Sequence, residues 1–146
     1  MAELFSNTDD GFITSPLSTW AGARDADTGN TVTAGGASAT SFTAVARFTS
    51  RGGGSTFRVF RSYMYFDTSD ITGTVASANF RIVGATGNDG SIIAVKSNAF
   101  GGDGETSLST ADLDAIPGWT DGASQEGNVT KYCVAFESTS GTWTEN

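Results

Sequence analysis

The sequence holds no histidine, a single cysteine, two prolines and eight basic residues in 146 positions. Without histidine, the commonest general base and the commonest zinc ligand are both missing. With Cys133 alone beside that gap, Ser-His-Asp and Cys-His catalysis and a structural zinc site are excluded. One cysteine cannot build a disulfide framework within a chain, and its place in an alternating run marks it as a small buried hydrophobe. No apolar run is long enough for a membrane-spanning helix. Met1-Ala2-Glu3-Leu4-Phe5 carries an acid where a secretory leader carries Lys or Arg, so the expectation is synthesis in the cytoplasm and no membrane partner.

Basic charge is also scarce. Eight Lys and Arg against 16 Asp and Glu give a net charge of -8, a poor surface for phosphate backbones, so no nucleic-acid partner is expected. No phosphate-cradling GxxxxGK[ST] occurs. Gly101-Gly102-Asp103-Gly104-Glu105 and Arg51-Gly52-Gly53-Gly54 are glycine-rich but lack the strand-to-helix setting of a nucleotide site.

What the chain does have is glycine, 19 of them, with many serines and threonines and recurring aromatic and β-branched residues. Such a composition fits short strands separated by polar turns better than disorder. The densest stretch, FRVFRSYMYFDTSDITGTVASANFRIV over 57–83, reads as two long strands joined by a polar turn at 67–73. Period two puts Phe60, Met64 and Phe66 on one face of the first strand and Val59, Tyr63 and Tyr65 on the other. A strand apolar on both faces needs cover on both, by a second sheet and by a loop or another protein.

Other segments follow the same logic. Phe12, Ile13, Leu17 and Trp20 look like isolated anchors, so residues 1–40 read as an extended N-terminal arm or edge segment, with 31–33 a short edge strand. Residues 41–146 then form the domain. Phe42, Ala44, Ala46 and Phe48 alternate with polar neighbours as a half-buried strand, and 51–55 reads as a flexible connection. Ala78, Phe80 and Ile82 alternate again, and Gly87-Asn88-Asp89-Gly90 signals a hairpin into 92–95. Ser109-Thr110-Ala111-Asp112 resembles a capping box opening one short helix near 110–116, ended by Pro117 and Gly118. Tyr132, Val134 and Phe136 mark a last strand, while 141–146 starts another and stops. Either the sequence is cut short there or a neighbouring chain completes the sheet. The expected fold is an all-β, antiparallel, jelly-roll-like β-sandwich.

Candidate sites are few. An exposed indole is a flat apolar platform for a sugar or a partner, and Trp119 in its loop is the best placed, with Tyr63, Tyr65 and Trp143 as further stacking residues. Burial in a core or an interface is the competing reading. Asp89 beside Asn88, and Asp103 with Glu105, offer hard oxygen ligands for calcium, though the spacing matches no EF-hand. Asp89, Asp103, Glu105 and Asp121 are also the carboxylates from which a glycosidase pair would come, against the simpler reading of solvated loop acids.

Arg61-Ser62-Tyr63-Met64-Tyr65-Phe66-Asp67-Thr68-Ser69-Asp70-Ile71, followed by Val75-Ala76-Ser77-Ala78-Asn79-Phe80-Arg81-Ile82, resembles the core pattern of DNRLRE-type β-sandwich domains. Those domains look like carbohydrate-binding modules, and similar stretches occur in virion proteins of tailed bacteriophages. The resemblance spans about 56–96, and Met64 and Asn79 depart from the usual residues. It implies a non-enzymatic virion structural protein, a capsid decoration (cement) or tail-fibre component. Its expected partners are other virion proteins or copies of itself, as in a homo-oligomer such as a trimer. The alternative it implies is a carbohydrate-binding module that recognises a host-surface or other polysaccharide.

Overall fold

A computed structural model describes residues 10–34, 46–51, 54–79, 90–102, 106–121, 127–132 and 136–138. The chain runs through β1 (Gly11–Leu17), α1 (Trp20–Arg24), β2 (Thr31–Ala34), β3 (Ala46–Arg51), β4 (Gly54–Tyr63), β5 (Gly90–Ile92) and β6 (Phe136–Ser138). Two 3₁₀ segments, Phe100–Gly102 and Thr110–Asp114, lie between β5 and β6. Four strands form one antiparallel sheet in the order β2-β1-β4-β3, and β5 and β6 form a second, antiparallel pair. The pairing of β5 with β6 is followed by a bridge between Val95 and Lys131. Mostly strand, antiparallel and poor in helix, the described residues agree with the all-β expectation.

Period two in β1 and β4 decides where the core sits. Ile13 pairs with Arg61 and Gly11 with Tyr63, so Gly11, Ile13, Ser15, Val59, Arg61 and Tyr63 share one face. On that face Ile13, Ser15 and Tyr63 are buried. Tyr63, Ile13, Ala99, Phe100, Leu108 and Leu113 form the core cluster, with Val32, Tyr65, Ala115 and Ile116 packed around it. Full burial of Ile13 and Leu113 contributes about 1.5–3 kcal/mol each. The other face carries Phe12 and Phe60, both half-buried, with ring centroids 6.0 Å apart.

Several sequence expectations change here. The supposed arm supplies β1, an inner strand, together with α1 and β2. The alternation of β1 is hard to read because its buried positions hold Gly11 and Ser15 beside Ile13. The uncovered face of β4 is covered by the chain itself, since Tyr63 is only 4% exposed beneath the 3₁₀ segment Thr110–Asp114. β4 stops at Tyr63, and the second long strand does not form over 74–79, where every residue is exposed. Phe80, Ile82 and the 87–89 hairpin signal lie outside the described residues. Within the expected connection over 51–55, Arg51 pairs with Gly54, so β3 and β4 are antiparallel neighbours, and 52–53 lie outside the described residues.

The short helix is present as the 3₁₀ segment Thr110–Asp114. Its start is fixed by the Asp112 carboxylate, which accepts from the Ser109 backbone N (2.7 Å) and hydroxyl (2.9 Å). Gly29 lets this segment close on β1: its N donates to the Thr110 carbonyl, and a Cβ there would stand 2.2 Å from Ile13 Cγ2. Phe100 adopts φ 60°, a conformation costing a non-glycine residue about 1–2 kcal/mol. Burial of its ring against Tyr65, with centroids 6.4 Å apart, offsets that strain.

Candidate functional site

An arginine inside an apolar stripe is the central polar feature of the fold. Arg61 follows Val59 and precedes Tyr63 on the core face of β4, and its side chain is only 11% exposed. Burying a guanidinium unpaired is prohibitive, so its donors must be met inside the fold. Nη1 donates to the Leu113 carbonyl (2.6 Å) and to Asp114 Oδ1 (3.0 Å), while Nη2 donates to the Arg24 carbonyl (3.1 Å). The Arg24 carbonyl lies at the end of α1, where helical carbonyls lack partners within the helix. Arg61 Cζ lies over the Trp119 ring, 4.9 Å from its centroid, a cation–π contact.

Tyr63 joins the same cluster. Its hydroxyl donates to the Leu113 carbonyl at 2.6 Å, so that one oxygen accepts from both Arg61 and Tyr63. Burial pushes the Tyr63 phenol well above the ordinary tyrosine range. The part-buried Arg24 side chain pairs with Asp25, which raises its pKa, and Asp121 adds a smaller push in the same direction.

Chemically, this arrangement holds parts together. Three acceptors and a ring already engage the guanidinium. Arg61 and Tyr63 fasten α1 and the Thr110–Asp114 segment to the sheet. The Trp119 indole Nε1–H is buried with no acceptor among the described residues.

The sequence candidates meet different fates. Tyr63 and Trp119 come together around Arg61, but Tyr63 offers no ring face to a ligand and Trp119 has one face taken by the guanidinium. Tyr65 is half-buried with its edge on Phe100, and its backbone N donates to Asp10 Oδ1. Trp143, Asp89, Asp103 and Glu105 lie outside the described residues. Among the described residues, no three His, Cys, Asp or Glu gather closely enough to hold a metal ion.

Two features escaped the sequence reading. One is Arg61, whose signal is a cation at an odd position of a period-two apolar stripe. The other is an exposed patch at the far end of the sheet. There Leu17 pairs with Phe57, and the ring of Trp20 lies 6.4 Å from that of Phe57. Leu17 and Trp20 are 45% and 41% exposed, so the indole on view is Trp20 rather than Trp119. Compared with protein-family models, curated proteins and solved structures, the chain matches none.

Proposed function

We propose that the chain is a non-enzymatic structural protein of a bacteriophage particle, a capsid decoration or tail-fibre component that works by docking. In this reading the four-stranded sheet is one layer of a jelly-roll-like β-sandwich. The observation that carries the reading is the order β2-β1-β4-β3, which leaves β2 and β3 as edges with no further strand among the described residues. Such edges present backbone donors and acceptors that pair readily with another chain. The commitment of Arg61 and Tyr63 to internal carbonyls supports a holding role for the central cluster. Docking is assigned to the edges, since β1 and β2, from the expected arm, are strands of the sheet itself. The test is co-sedimentation with isolated capsids and tails. Retention on either at micromolar protein is expected, whereas a monomer with no affinity for either would overturn the proposal.

A second reading has one observation in its favour. The Trp20–Phe57 pair beside Leu17 is an exposed apolar surface of the kind on which a sugar ring stacks. Glycan-array binding lost in Trp20→Ala and kept in Trp119→Ala would place carbohydrate recognition first. Absence of binding to any glycan would remove it.

A further inference from the structure

The β3–β4 hairpin concentrates positive charge in an acidic chain. Its register sets Arg47 directly opposite Arg58 and Arg51 opposite Gly54, so positions 47, 51 and 58 share one face of the hairpin. Three of the eight basic residues therefore fall on one face of one hairpin in a protein of net charge -8. Like charges directly opposite one another on a sheet are destabilising. Arg24 and Arg61 both have ion-pair partners, but among the described residues the exposed Arg58 has none.

Beyond the other end of β4 the charge is of opposite sign. The chain leaves the sheet at Tyr63 and stays alongside the start of β1, where the Tyr65 N donates to Asp10. It then reaches an exposed turn bearing Asp67 and Asp70. Ser69 N donates to Asp67 Oδ1 (2.9 Å) and Ile71 N to the Thr68 carbonyl (3.0 Å), so the turn has a defined shape. Among the described residues, basic positions thus gather near one end of the longest strand and two exposed carboxylates lie beyond the other. Leu17 and Trp20, exposed near the same end, belong to the opposite face of the sheet, with Phe57, and are separate from this charged face.

Building on the docking reading above, we infer that the arginine-bearing end of the β3–β4 hairpin docks on the acidic Asp67–Asp70 turn of a second copy, joining copies head to tail. Such a contact is heterologous: it closes into a ring or runs on as a filament, according to the rotation per step. It differs from edge pairing because it depends on charge and weakens as salt screens it.

Sedimentation velocity over a protein concentration series, at low and high salt, tests it. Wild-type chain is expected to gain mass with concentration at low salt and to lose that gain at high salt. Arg58→Glu is expected to weaken association by about tenfold or more, with thermal stability unchanged or raised because the Arg47–Arg58 opposition is relieved. Asp67→Lys/Asp70→Lys should weaken it similarly. Mixing the two variants should restore association, since each retains the surface that the other lacks. Arg58→Gln, which removes the charge without reversing it, serves if Arg58→Glu fails to fold. Association unchanged in the Arg58 variants, no restoration on mixing, or a monomer at every salt would overturn the inference. So would binding of a sulfated polysaccharide through Arg58 without self-association, which would identify the patch as a polyanion site. A monomer that still co-sediments with capsids or tails would defeat this inference alone. Failure of both experiments would defeat the docking reading as well.

Discussion

Replacing Arg61 tests whether the buried cluster holds the fold as its geometry indicates. Arg61→Ala removes three hydrogen bonds, a cation–π contact and the packing of the aliphatic stem, but the losses are unequal. Asp114 has a side chain 36% exposed, so water takes over much of the ion pair and its loss costs at most about 1 kcal/mol. Leu113 O keeps the Tyr63 hydroxyl and is not orphaned. The Arg24 carbonyl loses its charged donor, and bonds of that kind are worth about 1.5–3 kcal/mol. The Trp119 face adds about 1 kcal/mol. Against these stands the desolvation that the guanidinium no longer suffers. The expected net cost is about 2–4 kcal/mol for Arg61→Ala. Arg61→Lys keeps the charge but cannot span three acceptors, and is expected to cost about 1–2 kcal/mol.

Urea denaturation followed by circular dichroism measures these differences directly. A double-mutant cycle of Arg61→Ala with Trp119→Leu isolates the ring contact and is expected to show coupling of about 0.5–2 kcal/mol. An Arg61→Ala variant within about 0.5 kcal/mol of wild type would refute the reasoning, because surface substitutions behave that way and buried latches do not. A zero coupling in the cycle would refute the cation–π assignment alone.

The remaining expectations concern neighbouring groups. Tyr63→Phe should cost only about 1 kcal/mol, since Leu113 O retains Arg61 as a donor, and calorimetry at neutral pH checks it. Because burial raises the Tyr63 phenol, its contribution is complete below the unfolded pKa of about 10 and is lost as pH rises towards the folded value. An alkaline absorbance titration should therefore show a phenol that ionises only with unfolding, and that step should vanish in Tyr63→Phe. Leu113→Ala should cost about 2–5 kcal/mol at a fully buried site, read from its urea midpoint. Gly29→Ala forces a Cβ against Ile13 Cγ2 and is expected to lower the melting temperature visibly. The Asp67 carboxyl is held low, first by the Ser69 backbone N–H and then by the Ser69 hydroxyl. Its contribution is present above about pH 3.9 and disappears as pH falls through the folded value. An NMR titration of Asp67 should move upward in Ser69→Ala.

How much of this was legible depends on what each position had to satisfy. The Ser109–Asp112 cap was readable because it is local: one side chain meets donors of a residue three positions away. The alternation of β4 was readable because Val59 and Tyr63 have large side chains that mark the inward face. β1 was not, because Gly11 and Ser15 occupy inward positions where hydropathy is silent, and a glycine there lets the Thr33 carbonyl of β2 approach. The cover over Tyr63 was equally hidden, since it comes from Leu113, fifty residues away in the chain. Non-local closure of that kind leaves one trace in the sequence: a residue whose chemistry conflicts with its phase. Arg61 is that residue. An arginine at an inward position either faces a ligand or binds carbonyls of its own chain. Period two sets its direction, but only the carbonyls of Arg24 and Leu113 decide between the two, and they place it among the chain's own supports.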